Sequence, residues 1–235
     1  MKYLLLPSLV LFNSLLFAAR PLKSNDAFTL GRHSFQLEIA SEIITTDDQH
    51  FSAFPVAITY GLTDATDLFL GSAVFSNRLF SGNLSIECID IGFKQNLVSS
   101  ELFNLSFASG LSSQYFESNF SSPSAFFNLI TSLRLGDLNL HYNLGYNQNF
   151  RDEEFKDIWF TSFGAEFSIS DKIILGADMG IGRDPSIHCS TPQSYALVGV
   201  SYSLFNNLSV DTGLSFSFQH TTKVEMLTTG FTFSL

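Results

Sequence analysis

Alternation with a period of two runs through most of this chain and leaves little choice of secondary structure. Leu138, Leu140, Tyr142, Leu144 and Tyr146 alternate with Asn139, His141, Asn143, Gly145 and Asn147. Successive side chains of a strand point to opposite faces, so one face of this segment is apolar and the other polar or small. Leu208, Val210, Thr212, Leu214, Phe216 and Phe218 oppose Ser209, Asp211, Gly213, Ser215, Ser217 and Gln219 in the same way, and the pattern recurs over 157–169 and 194–204. Beyond residue 30 helical spacing is nearly absent, and no apolar run there is long enough for a membrane helix.

About twelve such segments can be placed, near 32–42, 51–61, 67–76, 83–94, 102–112, 125–135, 137–147, 157–169, 173–182, 194–204, 207–219 and 223–235. Their connections alternate in length. Short ones fall at Thr63-Asp64-Ala65, Gly136-Asp137, Ser170-Asp171-Lys172 and Phe205-Asn206-Asn207, and longer polar ones around 43–50, 77–82, 113–124, 148–156 and 183–193. An even number of strands with short turns on one side and long loops on the other predicts an all-β, transmembrane, antiparallel up-and-down β-barrel. Three places strain the assignment and widen it to 10–12 strands. Residues 84–93 change phase, which predicts a bulge near Glu87 and Cys88. Pro55 removes a ladder donor, so the second strand is expected to begin only at Val56. The connection 95–101 is long for a periplasmic turn.

Alternation alone does not separate a membrane barrel from a soluble sandwich or lipocalin-like barrel. The polar face does. In a soluble protein it would be the solvated exterior, rich in Lys, Glu and Arg, whereas here it is mostly Gly, Ser, Asn and Thr. Only 14% of residues are charged, and phenylalanine supplies 26 positions. Tyr60, Phe167 and Tyr202 each stand four residues before a turn residue, where they would form a periplasmic aromatic girdle, and Trp159, Tyr146 and Phe126 would form the outer one. With 12 Lys+Arg against 22 Asp+Glu the net charge is −10, the opposite of a nucleic-acid-binding footprint.

Residues 1–19 join Lys2 to an apolar run ending at Ala18-Ala19, the pattern of a secretory signal peptide. The expected organisation is therefore a signal peptide (1–19), an N-terminal periplasmic segment (20–31) and a barrel (32–235), in the bacterial outer membrane.

Two resemblances support that compartment. Leu227-Thr-Thr-Gly-Phe-Thr-Phe-Ser-Leu235 resembles the C-terminal signal by which barrel-assembly machinery recognises bacterial outer-membrane proteins, with Leu235 in place of the usual terminal aromatic. Tyr60-Gly-Leu-Thr-Asp-Ala-Thr-Asp-Leu-Phe-Leu-Gly71 resembles the strand-turn-strand unit of the outer-membrane family named for the meta-pathway of phenol degradation. That second resemblance covers about a dozen residues and implies a transporter-like barrel, not an enzyme acting on phenols.

The lumen face collects Glu38, Glu87, Asp90, Glu166, Asp178 and Asp211, with Lys94 and Arg134 as bases and His141 as the mid-strand histidine. Carboxylate rings select solutes by charge, so one reading is a pore favouring cations or neutral polar solutes. The other is an interior ion-pair and hydrogen-bond network that fills the barrel. No G-x-S-x-G elbow or Ser/His/Asp spacing suggests catalysis, and Gly176, Gly180 and Gly182 lack the context of a nucleotide loop. Asp47, Asp48 and His50 read as a solvated loop in preference to a cation site. No cofactor or metal is expected. Cys88 and Cys189 start almost opposite one another in a twelve-stranded ring, which disfavours a disulfide. The expectation is a passive channel for small polar or cationic solutes, with membrane lipid and the solutes as partners and the loops 113–124 and 183–193 as gates. The alternative is a structural or surface-adhesion barrel with a closed lumen.

Overall fold

The computed structural model describes residues 22–46, 49–76, 84–116, 119–150, 157–183, 192–219 and 222–235. Twelve strands follow one another: β1 Phe35–Thr46, β2 His50–Thr63, β3 Thr66–Ser76, β4 Leu84–Ser99, β5 Phe103–Phe116, β6 Asn119–Leu135, β7 Leu138–Asn149, β8 Ile158–Ser170, β9 Ile173–Gly182, β10 Gln193–Phe205, β11 Leu208–Gln219 and β12 Thr222–Ser234. Each pairs antiparallel with its neighbours in the chain, and β1 pairs with β12 from Gln36↔Ser234 to Thr46↔Val224, so the sheet closes into a barrel. Reciprocal bonds of 2.8 Å between the main chains of Phe35 and Leu235 complete the seam. Closure leaves no unpaired edge, the condition for a sheet to cross a bilayer. The end carrying Phe35, Leu235 and the turns at 64–65, 136–137, 171–172 and 206–207 is here the near end, and the opposite one the far end.

Polarity is inverted relative to a soluble protein. Ser106, Ser132, His141 and Asn143 are fully buried, while Leu144, Phe163, Val198 and Phe231 stand on the outer surface, between 44% and 59% exposed. Hydrogen-bonded polar groups inside and aliphatic and aromatic groups outside are what a transmembrane barrel requires. Tyr60, Phe167 and Tyr202 point outward toward the near end. Tyr146 and Trp159 point outward at the far end, directly opposite one another on β7 and β8.

The expected phase change is present: Ala73 pairs with Cys88 but Val74 with Ile86, a bulge that leaves Glu87 unpaired on that side. Four expectations need correction. The second strand does not wait for Val56. It runs through Pro55, keeps the pair Pro55↔Ala73 with β3, and loses pairing only toward β1, where the ladder skips from Val56 to Ala53 because proline has no N–H to offer. The connection at 95–101 is short after all, since β4 extends to Ser99 and β5 begins at Phe103. The loops expected at 43–50 and 113–124 are largely strand, because Thr45↔His50 and Phe116↔Asn119 carry the ladders almost to the hairpin tips. A gate formed by 113–124 has no loop of that length to form it. Finally, Phe126 is not part of the outer girdle. It shares the inward face of β6 with Asn128, Ile130 and Ser132, and Phe127 points outward instead. Two consecutive phenylalanines give no alternation to choose between them.

Candidate functional site in the barrel lumen

The expectation of a periplasmic segment over 20–31 meets a different arrangement, because residues 22–30 run along the inner wall of the barrel. The segment enters beside the near end and climbs across the strands, bonding to β3 through β7 and to β9 through its main chain and to β8 through the Ser24 hydroxyl on Ser162. Leu30 N–H reaches both carboxylate oxygens of Asp67 on β3 at 3.2 Å. The Ala27 carbonyl accepts from Asn96 Nδ2 on β4 at 3.0 Å and from Ser106 Oγ on β5 at 2.5 Å. Ala27 N–H donates to Ser132 Oγ on β6 at 2.8 Å. Asn143 on β7 reads Asn25 as a strand would, accepting its N–H at 3.0 Å and donating Nδ2 to its carbonyl at 2.8 Å.

The segment is anchored at Asp178 on β9. Oδ2 accepts the N–H groups of Lys23 and Ser24 at 2.6 Å each, and Oδ1 accepts the Ser24 hydroxyl at 2.8 Å and the Tyr195 hydroxyl at 3.1 Å. A carboxylate holding two consecutive main-chain N–H groups makes charge-assisted bonds, the stronger class. Leu22 packs with Tyr195 and Leu197 next to it, and the Lys23 ammonium lies 4.7 Å from the Tyr195 ring centre. Gly164 leaves the space: a Cβ there would press on the side chains of Ser24 and Leu22 at 3.1 and 3.2 Å.

The other expected lumen residues divide between this segment and the remaining space. His141 is fully buried; its Nδ1 is 2.8 Å from Ser132 Oγ and its Nε2 is 3.4 Å from Glu166 Oε2. Ser132 Oγ already accepts Ala27 N–H, so its own proton is available to His141 Nδ1, which leaves Nε2–H directed at Glu166. Serine, histidine and glutamate thus stand in hydrogen-bond order, a constellation that sequence spacing did not reveal. Ser132 and His141 have no exposed surface, so the trio supports the segment and offers no approach to a substrate. The Arg134 guanidinium, toward the near end, covers the Phe28 ring at 4.7 Å. Asp90 and Asp211 are buried inward on β4 and β11. Lys94 meets Asp26 at 3.5 Å, and Glu38 faces inward from β1. Glu87 lies on β4 with its side chain outside the described residues, as do residues 1–21, Asp47, Asp48, the connection 184–191 and Cys189. The expectations for a signal peptide, a loop cation site, a gate at 183–193 and the cysteine pair fall there.

Two further features were not legible in the alternation. Under the far ends of β1, β2, β3 and β12, Ile44, Phe51, Ala53, Phe75, Val224 and Met226 form an apolar cluster inside the barrel. Beside the segment there remains a cavity of about 310 Å³. Its lining runs from Gln36, Ser209 and Thr232, close to the near end, to Asn147 and Phe160, close to the far end. Three carboxylates, Asp26, Glu38 and Asp67, line it against the single ammonium of Lys94.

No family model and no curated protein matches the chain. Solved structures do. The COG4313 outer membrane channel from Pseudomonas putida F1 superposes with a TM-score of 0.72 at 9% identity, covering 89% of this chain and 98% of that one. The NanC porin gives 0.66 at 9% identity over 84% and 100% of the two chains. The KdgM porin in complex with disordered oligogalacturonate gives 0.58 at 12% identity over 84% and 99%. At these identities the likeness establishes the twelve-stranded outer-membrane barrel fold. The phenol meta-pathway resemblance stays with the motif Tyr60–Gly71.

Proposed function

We propose that this chain is a passive, non-catalytic channel of the bacterial outer membrane for small polar or cationic solutes, narrowed by its own N-terminal segment. The observation that carries this reading is the cavity beside the segment, whose lining runs from close to the near end up to the level of Asn147 and Phe160 and holds three carboxylates against one ammonium. Excess carboxylate in a confined, low-dielectric path raises the local concentration of cations and excludes anions. The fold shared with outer-membrane channels and porins supports the location and the passive mechanism. In the C-terminal strand, Phe231 points outward and the strand pairs with β1 along its length, which fits a segment recognised during barrel assembly.

Planar-bilayer recordings of the refolded protein test the reading. Small, cation-preferring unitary currents are expected, with the preference reduced in Glu38→Gln. Silent bilayers, or a preference for chloride, would overturn it. The apolar cluster around Ile44, Phe51 and Met226 favours a second reading, a barrel with a closed lumen that acts through its exposed surface, and silence in the same recordings would select it.

A further inference from the structure

The wall of the cavity is built around one asparagine. Asn143 has no freedom of amide orientation, since its Oδ1 accepts Asn25 N–H and its Nδ2 donates to the Asn25 carbonyl. Asn128, on the neighbouring strand, donates Nδ2 to that same Asn143 Oδ1 at 3.1 Å. Its orientation is thereby set as well, and Asn128 Oδ1 is left as an acceptor. Asn128 Oδ1 and Asn25 Oδ1 have no hydrogen-bond partner among the described residues. Both residues are 4% exposed, and both line the cavity. A buried carbonyl oxygen without a donor is costly, so two of them beside one cavity call for a donor inside it.

The surroundings say what carries that donor. Across β3 to β6 one inward row reads Phe69, Gly92, Gly110, Phe126. A Cβ at Gly92 or Gly110 would collide with these rings. With no side chain at either glycine, the two phenylalanines fold over them from opposite sides and stack at 5.9 Å and 23°. In the adjoining row Asn128 pairs with Gly145 and Gly145 with Phe160, whose ring occupies the place a Gly145 side chain would take. Asn128 therefore sits between an aromatic pair and a third phenylalanine, all lining the same cavity as Asp26, Glu38 and Asp67. Donors, positive charge and a flat apolar body are the complement of this lining.

We propose that the cavity is a binding site for a small primary ammonium with an aromatic body. The ammonium donates to Asn128 and Asn25 in the field of the carboxylates, and the aromatic body rests against Phe69, Phe126 and Phe160. The proposal deepens the channel reading by naming a solute class, and rests on that reading only for the solute's passage. Binding and conduction are therefore measured separately.

Titration calorimetry of the refolded full chain in detergent with 2-phenylethylammonium is expected to give saturable binding. Neutral 2-phenylethanol and anionic phenylacetate are expected to bind roughly tenfold more weakly or worse, as loss of a charged hydrogen bond predicts. Asn128→Leu, which keeps the branched shape and removes the acceptor, should weaken the ammonium by roughly tenfold and 2-phenylethanol, whose hydroxyl makes only a neutral bond, by clearly less. Glu38→Gln, which leaves the Asn143 network intact, should weaken the ammonium severalfold and provides the same contrast if Asn128→Leu does not refold. No saturation by the ammonium, equal affinity for phenylacetate, or an unchanged ammonium affinity in a folded Asn128→Leu or Glu38→Gln protein would each overturn the site. Binding in a barrel that passes no current would leave the site standing and remove the channel reading.

Discussion

At the scale of single residues, the lumen works as a set of sockets for main-chain groups. Asp178 shows this most plainly, because it accepts two consecutive N–H groups and two hydroxyls from residues that share no sequence motif with it. Asp178→Ala should release the start of the segment, since each charge-assisted bond lost costs about 1.5–3 kcal/mol. The expected outcome is faster thiol labelling of a Ser24→Cys reporter and larger unitary currents than in the parent. Gly164→Leu tests the same docking by sterics, because a side chain there would occupy the place of Ser24 and Leu22. It should reproduce both effects without touching a carboxylate. That Asp178, Glu166 and His141 face inward follows from alternation in the sequence. Their partners could not be read there. Ala27 lies 105 residues from Ser132 and Lys23 lies 155 from Asp178, and bonds made by main-chain atoms leave no pattern in side-chain identity.

Among the elements, the strands and the N-terminal segment are held by different physics. The strands carry their own specification, apolar outside and polar inside, which is why twelve of them could be counted from the sequence. Leu144 lies mid-strand on β7 and faces outward, 49% exposed. Leu144→Arg should therefore cost about 2–4 kcal/mol of folding stability in vesicles, the midplane value, read as a lower urea midpoint of refolding. Residues 22–30 have no period of two, and their Lys, Ser, Asn, Asp and Thr suggest a solvated linker. Inside the barrel those side chains and their backbone meet donors and acceptors carried by the strands. Deleting 22–30 should leave the barrel folded, with sheet-rich circular dichroism, and raise its conductance. Loss of the sheet spectrum would show that the segment is part of the folding core. The misplaced Phe126 has an equally local cause: it and Phe127 are both apolar, and the period-two rule is silent wherever neighbours match.

For the whole molecule, closure through β1 and β12 is the decisive step, because it turns a row of hairpins into an object with an interior. If excess carboxylate sets selectivity, reversal potentials across a salt gradient should shift toward the cation potential at low ionic strength and lose that shift in concentrated salt, where screening shortens the reach of these charges. A preference unaffected by salt would place selectivity in size alone. The sequence by itself determined the fold class, a strand number between 10 and 12, and which face of nearly every strand meets lipid. A strand repeats every two residues, and the bilayer tolerates no buried charge on its side, so both constraints are local. What the tertiary structure alone decided is how the lumen is filled: a polar segment docked across the inner wall from β3 to β9, an apolar cluster under the far end, and a cavity whose lining includes Asn128, Phe69, Phe126, Phe160 and three carboxylates. Interior volume is shared by all twelve strands at once, and no single stretch of sequence carries the sum.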